Sequence, residues 1–185
     1  MIERRIVLKR SFCLGIGLSL APTLSLGQDD PASLRPKEGD RLVRVDDSAA
    51  RPLTPEDIPR EATPIVAWAL DPVTRTVRSG SRLNRVLLMK LDMSVTSSET
   101  ASRAAEGVVA YTAICTHSGC EVVDWLADER LLYCSCHASK FDPKDGARVV
   151  DGPAPRGLPA LPLKTIDGSL VVAQPFTARV GFESA

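Results

Sequence analysis

The sequence is short of several features that would each point to a class of protein. Acidic and basic residues number 23 each, so the 185-residue chain carries no net charge and gives no sign of binding nucleic acid. No internal repeat or low-complexity region appears, which excludes a repeat architecture. Aromatic residues make up only 4% of the chain, whereas there are 14 prolines and many Val, Leu and Ala residues. This composition favours one small β domain with many turns.

The chain also lacks an uncharged run of ordinary membrane-spanning length. Its longest run, residues 11–27, has 17 residues, just under the roughly 18–20 that cross a bilayer. Arg4, Arg5 and Lys9 precede this run and resemble a twin-arginine export signal, which carries folded proteins out of the cytoplasm. We therefore predict that residues 1–27 are a signal cleaved near Gly27. A retained membrane anchor is the alternative.

Histidine is scarce too, but both histidines and four of the five cysteines fall into two short motifs. The motifs are Cys115-Thr-His117-Ser-Gly-Cys120 and Cys134-Ser-Cys136-His137-Ala-Ser139. Each motif offers one thiolate and one imidazole at a spacing that lets both reach the same metal. We therefore expect two sulfur and two nitrogen ligands to converge from two loops.

This ligand set fits two kinds of metal site. Zinc accepts sulfur and imidazole in a tetrahedral site. A 2Fe-2S cluster can take two cysteines on one iron and two histidines on the other. Cys120 and Cys136 would be surplus in a four-ligand zinc site, whereas a disulfide between them would tie the two loops together around a cluster.

The two motifs resemble the two boxes of the Rieske iron-sulfur family, C-x-H-x-G-C and C-x-C-H-x-S. The 16 residues between His117 and Cys134 are also typical of that family. Residues 152–156, Gly-Pro-Ala-Pro-Arg, resemble the proline loop that covers the cluster in Rieske proteins. The resemblance is to the disulfide-containing type, represented by the arsenite oxidase small subunit and the iron-sulfur subunit of cytochrome bc complexes. It implies one 2Fe-2S cluster per chain.

The resemblance also implies a role for each residue of the motifs. The implied set is Cys115 and Cys134 on the inner iron, His117 and His137 on the outer iron, and a disulfide between Cys120 and Cys136. Ser139 stands where the family places a hydroxyl that donates to a bridging sulfide, which raises the reduction potential. Phe141 stands where high-potential members place a Tyr that donates to a cysteine sulfur. We therefore expect a reduction potential below that of the cytochrome bc type and well above that of ferredoxins.

The predicted fold is all-β, a small antiparallel Rieske-type β-sandwich with a cluster-binding subdomain at one end. The predicted strands and hairpins are an edge strand at 41–45, strands at 63–70, 84–91, 107–114 and 147–150, and hairpins at 121–133 and 163–173. The predicted regions are a signal or anchor at 1–27, an extended lead-in at 28–60, a Rieske domain at 61–176 with its cluster-binding part at about 113–157, and a tail at 177–185.

The function predicted from this resemblance is that of an exported electron-transfer protein or subunit, located in the periplasm or on the periplasmic face of the inner membrane. Its expected partner is a catalytic subunit, a cytochrome c, a cupredoxin or the quinol site of a cytochrome b, with membrane contact only if the amino-terminal segment is retained. A Rieske oxygenase would need two further histidines for a mononuclear iron, and both histidines are already used. We expect no substrate chemistry from this chain alone. A zinc- or disulfide-stabilised interaction module without redox activity is the alternative.

Overall fold

The computed structural model describes residues 30–182, and strands dominate this part of the chain. The strands are β1 Arg41–Arg44, β2 Ile65–Leu70, β3 Val86–Lys90, β4 Val108–Thr112, β5 Asp124–Leu126, β6 Leu131–Cys134, β7 Ser139–Asp142, β8 Arg148–Asp151, β9 Leu163–Ile166 and β10 Ser169–Val172. The helices are α1 Ser98–Ala101 and 3-10 turns at Pro31–Ser33, Pro55–Asp57, Arg82–Asn84 and Met93–Val95. None of these short helices has the length and apolar character of a bilayer-spanning segment. The predicted export segment lies outside the described residues.

The strands form two antiparallel sheets, which confirms the predicted all-β fold. The larger sheet has the order β4-β3-β2-β1-β10-β9, and the smaller one has the order β5-β6-β7-β8. The stretch before β9 bonds to β4, because the amide of Thr112 donates to the carbonyl of Pro159 and that of Leu161 to Ala110, both at 2.9 Å. These bonds bring the two edge strands of the larger sheet together.

Two apolar clusters meet at β3 and β4, one on each face of the larger sheet. Val86 and Leu88 of β3 point into one cluster, whereas Leu87 and Met89 point into the other, because successive side chains of a strand alternate between its faces. The second cluster also contains Leu132 and Phe141 of the smaller sheet. This double burial explains the nearly continuous apolar sequence at 84–91 and confirms the predicted strand there.

The prediction of an edge strand at 41–45 is wrong. β1 pairs with β2 on one side and with β10 on the other, so it lies inside the larger sheet. Leu42 and Val43 are both buried, although they point to opposite faces. Arg41 and Arg44 at the ends of this short strand gave it the alternating appearance of an exposed strand. The predicted hairpins at 121–133 and 163–173 are confirmed as β5–β6 and β9–β10.

A buried ion pair fastens the segment before β1 to the sheet. Asp40 and Arg78 are almost fully buried, and the guanidinium donates to both carboxylate oxygens of Asp40, at 2.5 and 3.1 Å. The same guanidinium donates to Asp71 at 3.2 Å, and Lys37 lies 3.0 Å from that carboxylate. Burial of a charge costs several kcal/mol unless a partner compensates it, so these residues depend on one another.

The Asp71 carboxylate should contribute stability that is lost in acid. The hydrogen bond from Lys37, followed by that from the Val73 amide, lowers the pKa of Asp71 from 3.8 to about 2. A carboxyl group whose pKa is lower in the folded state stabilises the fold above its unfolded pKa and loses this effect as the pH falls. We therefore expect the free energy of unfolding to decline between pH 3.8 and about 2. Denaturant titrations at several pH values should show a smaller decline in the free energy of unfolding for the Asp71→Asn variant than for the wild type. Asp167→Asn, in the β9–β10 turn, is the control and should show the same decline as the wild type.

Candidate metal centre

The first motif is a tight turn at the end of β4. Cys115 follows this strand after two buried residues, and its amide donates to the carbonyl of Cys120 at 2.8 Å. The amide of Gly119 donates to the carbonyl of Cys115 at 3.1 Å. Gly119 has a φ of +76°, a left-handed conformation that glycine adopts without steric cost. β4, which pairs with β3 on one side and bonds to the stretch before β9 on the other, therefore fixes the start of the turn, and two backbone bonds close it.

The second motif is a hairpin turn between β6 and β7. Cys134 is the last residue of β6 and pairs with Ser139, the first residue of β7. The four residues between them form the turn, in which Ala138 has a φ of 60°. His137 therefore projects from a turn whose two ends are held by a strand pair. No sequence pattern separately indicated β7.

The two cysteines that are expected to bind iron lie side by side under these turns. Cys115 and Cys134 are free thiols, each 1% exposed. Burial, followed by the neighbouring Cys115 thiol, raises the pKa of Cys134 to about 11. A thiol must be deprotonated to bind a metal, so metal binding at this pair releases protons. The pair is a dry, sulfur-rich position.

The two histidines form a second pair. The imidazole rings of His117 and His137 meet edge to face, with centroids 4.6 Å apart and planes at 83°. His117 is half-buried and His137 is exposed. Nδ1 of His117 is buried and has no hydrogen-bond partner among the described residues, whereas Nδ1 of His137 lies 3.4 Å from the hydroxyl of Ser118.

These four side chains fit the divided coordination of a 2Fe-2S cluster. Buried polar atoms are nearly always satisfied, so the lone Nδ1 of His117 indicates a ligand that fills this position. Between residues 30 and 182, no three Cys, His, Asp or Glu side chains gather at one point as they do around a single metal ion. The donors instead form one thiol pair and one imidazole pair.

Cys120 and Cys136 form a disulfide in the structure, as the family resemblance implied. Their Cα atoms are 6.5 Å apart, within the range of a native disulfide. The bond joins the last residue of the first motif to the turn of the second. The two turns are thus held together independently of any metal.

Removal of this disulfide should destabilise the domain. The two cysteines are 16 residues apart in sequence. Removal of a disulfide that closes a loop of this length typically lowers the free energy of unfolding by about 2–4 kcal/mol. We expect the Cys120→Ser/Cys136→Ser double variant to show this loss in guanidinium denaturation and to have a lower reduction potential. Wild-type protein treated with a thiol reductant should lose a similar amount. Equal unfolding midpoints for the double variant and the oxidised wild type would contradict the prediction.

Residues 152–156 lie directly against the second motif, where the proline loop was expected. A Cβ atom added to Gly152 would lie 2.5 Å from the Cα of Ser139, so only glycine permits this approach. The amide of Ala154 donates to the hydroxyl of Ser139 at 3.2 Å. Ser139 is fully buried. Its oxygen accepts this bond, so its hydroxyl proton remains available to another acceptor.

Thr116 is a residue of the site that the sequence did not single out. It stands between the expected ligands Cys115 and His117, and its hydroxyl donates to the carbonyl of Arg156 at 2.5 Å. This bond joins the first motif to the proline loop across 40 residues of sequence. A polar residue between two expected ligands was the available signal in the sequence, but its acceptor is a backbone atom that no sequence pattern marks.

Comparisons with known proteins agree with this geometry. The sequence model of the Rieske [2Fe-2S] domain matches residues 68–162. The protein of Haloferax mediterranei named respiratory nitrate reductase subunit Rieske is 45% identical over 76 residues, which are 40% of this chain and 34% of that protein. The cytochrome bc1 complex Rieske iron-sulfur subunit of Streptomyces lividans is 44% identical over 77 residues, which are 41% of this chain and 45% of that protein. The chain thus spans less than half the length of these two relatives.

Among solved structures, the soluble domain of Rieske protein II from Sulfolobus acidocaldarius covers 52% of this chain and 66% of its own, with 22% identity and a TM-score of 0.39. The family model matches just over half of the 185 residues and includes both motifs and the proline loop. The disulfide that joins the motifs is present as well. The chain therefore belongs to the disulfide-containing type of the Rieske [2Fe-2S] family, and its cofactor is a 2Fe-2S cluster.

Proposed function

We propose that this protein is an exported electron-transfer subunit that passes single electrons within a respiratory or periplasmic oxidoreductase complex. The observation that carries the proposal is the division of the donors into a buried thiol pair and an imidazole pair in which His137 is exposed. When bound, a cluster of this type takes up and releases one electron, at about −150 to +300 mV against about −400 mV for plant-type ferredoxins.

Each pair of side chains has a distinct task in this proposal. Cys115 and Cys134 would hold the inner iron where water is excluded. His117 and His137 would hold the outer iron, with His137 exposed at the surface. A partner that contacts His137 would approach the outer iron closely. Cys120 and Cys136 brace the two turns, and Ser139 would direct its hydroxyl proton to a cluster sulfur.

Ser139 and Phe141 have opposite consequences for the reduction potential. The oxygen of Ser139 already accepts from the Ala154 amide, which orients the hydroxyl and leaves its proton free to donate. A hydrogen bond to a cluster sulfur stabilises the reduced, more negative cluster and raises the potential. Phe141 is fully buried in the same sheet and has no proton to donate. We therefore propose a potential between those of the cytochrome bc type and the ferredoxins.

The Phe141→Tyr variant should have a higher reduction potential than the wild type. A Tyr hydroxyl at this position could donate to a cysteine sulfur, as in high-potential members of the family. The half-buried Tyr133 of β6 offers a matched control, because Tyr133→Phe removes a hydroxyl from the same sheet. Redox titrations monitored by circular dichroism should show a higher reduction potential for Phe141→Tyr and an unchanged potential for Tyr133→Phe. An unchanged potential in Phe141→Tyr would contradict the role assigned to this position.

The proposed partner is another protein of a redox complex. Both curated relatives carry names of subunits of such complexes, the respiratory nitrate reductase and the cytochrome bc1 complex. The partner that exchanges electrons with the cluster would be a catalytic subunit, a cytochrome c, a cupredoxin or the quinol site of a cytochrome b. Export by the twin-arginine-type signal at residues 1–27 would place this exchange in the periplasm or at its membrane face. The proposed Rieske domain is 61–176, with the cluster-binding part at about 113–157, and β1 from the predicted lead-in completes its larger sheet.

Metal analysis and electron paramagnetic resonance of purified protein test this function. We expect two iron and two acid-labile sulfide per chain and, after reduction, the spectrum of a 2Fe-2S centre with mixed nitrogen and sulfur ligands. Protein with one zinc and no sulfide would instead support an interaction module stabilised by zinc. Protein with the disulfide and no metal would support a module stabilised by the disulfide alone. Either result would overturn the electron-transfer proposal.

A further inference from the structure

Residues 180–182 lie against the first cluster-binding turn, although they follow the matched family region, 68–162, by some distance in sequence. Val180 and Gly181 are buried, whereas Arg179 before them is exposed. The ring of Phe182 packs on Gly119. A Cβ atom added to Gly119 would lie only 3.1 Å from Cδ1 of this ring. The ring is 48% exposed, so it covers the turn on the solvent side.

Arg82, like Phe182, contacts Gly119. Its Nη2 donates a hydrogen bond to the carbonyl of Gly119 and lies 3.1 Å from the same added Cβ position. Gly119 stands between Ser118 and Cys120, two residues after His117. A guanidinium and an aromatic ring thus contact the turn at one residue, next to one expected ligand and to the disulfide.

Arg156 connects residues 180–182 to the rest of the site. Its Nη2 donates to the carbonyl of Gly181 at 2.7 Å, and its own carbonyl accepts from the hydroxyl of Thr116 at 2.5 Å. A Cβ atom added to Gly181 would lie 3.6 Å from both Ile114 and Leu83. The first motif, the proline loop and residues 180–182 are therefore joined in a closed set of contacts.

We propose that residues 180–182 and Arg82 are positioning elements of the cluster site that fix the first ligand turn. The inference rests on the proposed function, since it assigns these residues to a cluster held by Cys115 and His117. The Phe182 ring excludes water from the turn and limits its movement. The Arg82 guanidinium fixes the Gly119 carbonyl and places a positive charge near the centre. Such a charge stabilises the reduced, more negative cluster.

The Phe182→Ala variant tests the first part of this inference. Loss of a supporting residue outside the ligand set typically costs about 10- to 100-fold in metal affinity. We expect release of iron to a chelator to become at least about tenfold faster, with a broadened resonance spectrum of the reduced cluster. Ile166→Ala is the control, because Ile166 is similarly exposed, at 41%, on the distant β9–β10 hairpin. The control should match the wild type.

The Arg82→Gln variant tests the second part without removal of the aromatic ring. We expect its reduction potential to fall, because glutamine retains a donor but removes the positive charge. Arg82→Lys retains the charge and should recover most of the wild-type potential. Arg179→Gln removes a neighbouring exposed positive charge and should shift the potential less than Arg82→Gln. Thermal unfolding of each variant shows whether the domain itself remains folded.

The outcomes separate this inference from the proposed function. Wild-type protein with a 2Fe-2S spectrum, together with wild-type release rates in Phe182→Ala and a wild-type potential in Arg82→Gln, would overturn the inference alone. Wild-type protein without a cluster would overturn both. Faster release and a lower potential in variants with wild-type unfolding temperatures would support positioning of the cluster turn. If Phe182→Ala fails to fold, the reduction potentials of Arg82→Gln and Arg82→Lys decide whether the inference stands. A lower potential in Arg82→Gln that Arg82→Lys restores supports it, and wild-type potentials in both variants overturn it.

Discussion

Replacement of His137 by Ala is expected to give a folded protein that cannot hold a 2Fe-2S cluster. The outer iron has two expected protein ligands, His117 and His137, and alanine removes one of them. The fold should survive, because His137 is exposed in the turn between β6 and β7 and contributes little apolar burial. The strand pairing of Cys134 with Ser139 and the disulfide hold this turn without the imidazole.

Iron and sulfide analysis together with circular dichroism would measure this effect. We expect far-ultraviolet spectra like those of the wild type, and iron content and visible colour near zero. Ser135→Ala is the matched control, because Ser135 is exposed in the same turn. It should retain full iron content. A coloured His137→Ala protein with two iron atoms per chain would refute the assignment of His137 as a ligand.

The Arg78→Met variant should lose about 3–5 kcal/mol of free energy of unfolding. Arg78 donates to Asp40 through two hydrogen bonds, and Asp40 has no exposed surface. Methionine fills a similar volume but leaves this carboxylate buried without a charged partner, with only the hydrogen bond from the Lys37 amide at 3.0 Å. The hydrogen bonds to Asp40 raise the pKa of Arg78 further, so the guanidinium stays charged across the accessible pH range. The loss should also loosen the segment before β1.

An exposed ion pair provides the comparison for this prediction. Arg148 pairs with Asp145 at 2.7 Å, and both side chains are more than half exposed. Such pairs contribute less than about 1 kcal/mol, so Arg148→Met should change the unfolding midpoint little. The Arg78→Met/Asp40→Leu double variant should regain much of the lost stability, because it removes the uncompensated charge. Equal losses in Arg78→Met and Arg148→Met would show that the buried pair does not stabilise the fold.

The strands could be predicted where the sequence pattern matches burial. The apolar run at 84–91 predicted a strand buried on both faces, and β3 indeed separates two apolar clusters. The prediction failed at β1, because a strand of four residues with charged ends does not reveal its neighbours. Its place between β2 and β10 depends on pairing with a strand about 130 residues later. β7 was missed because its start belongs to the second motif.

The sequence by itself determined the chemistry of this protein. Thiol and imidazole side chains at fixed short spacings have few possible uses, and the disulfide between Cys120 and Cys136 followed from the family those spacings resemble. Only the tertiary structure decided what holds the site in place. The contacts of Thr116 with Arg156, Arg82 with Gly119 and Asp40 with Arg78 join residues 40, 37 and 38 positions apart. Two of these contacts end on backbone carbonyls, which every residue possesses, so the folded chain path alone selects them.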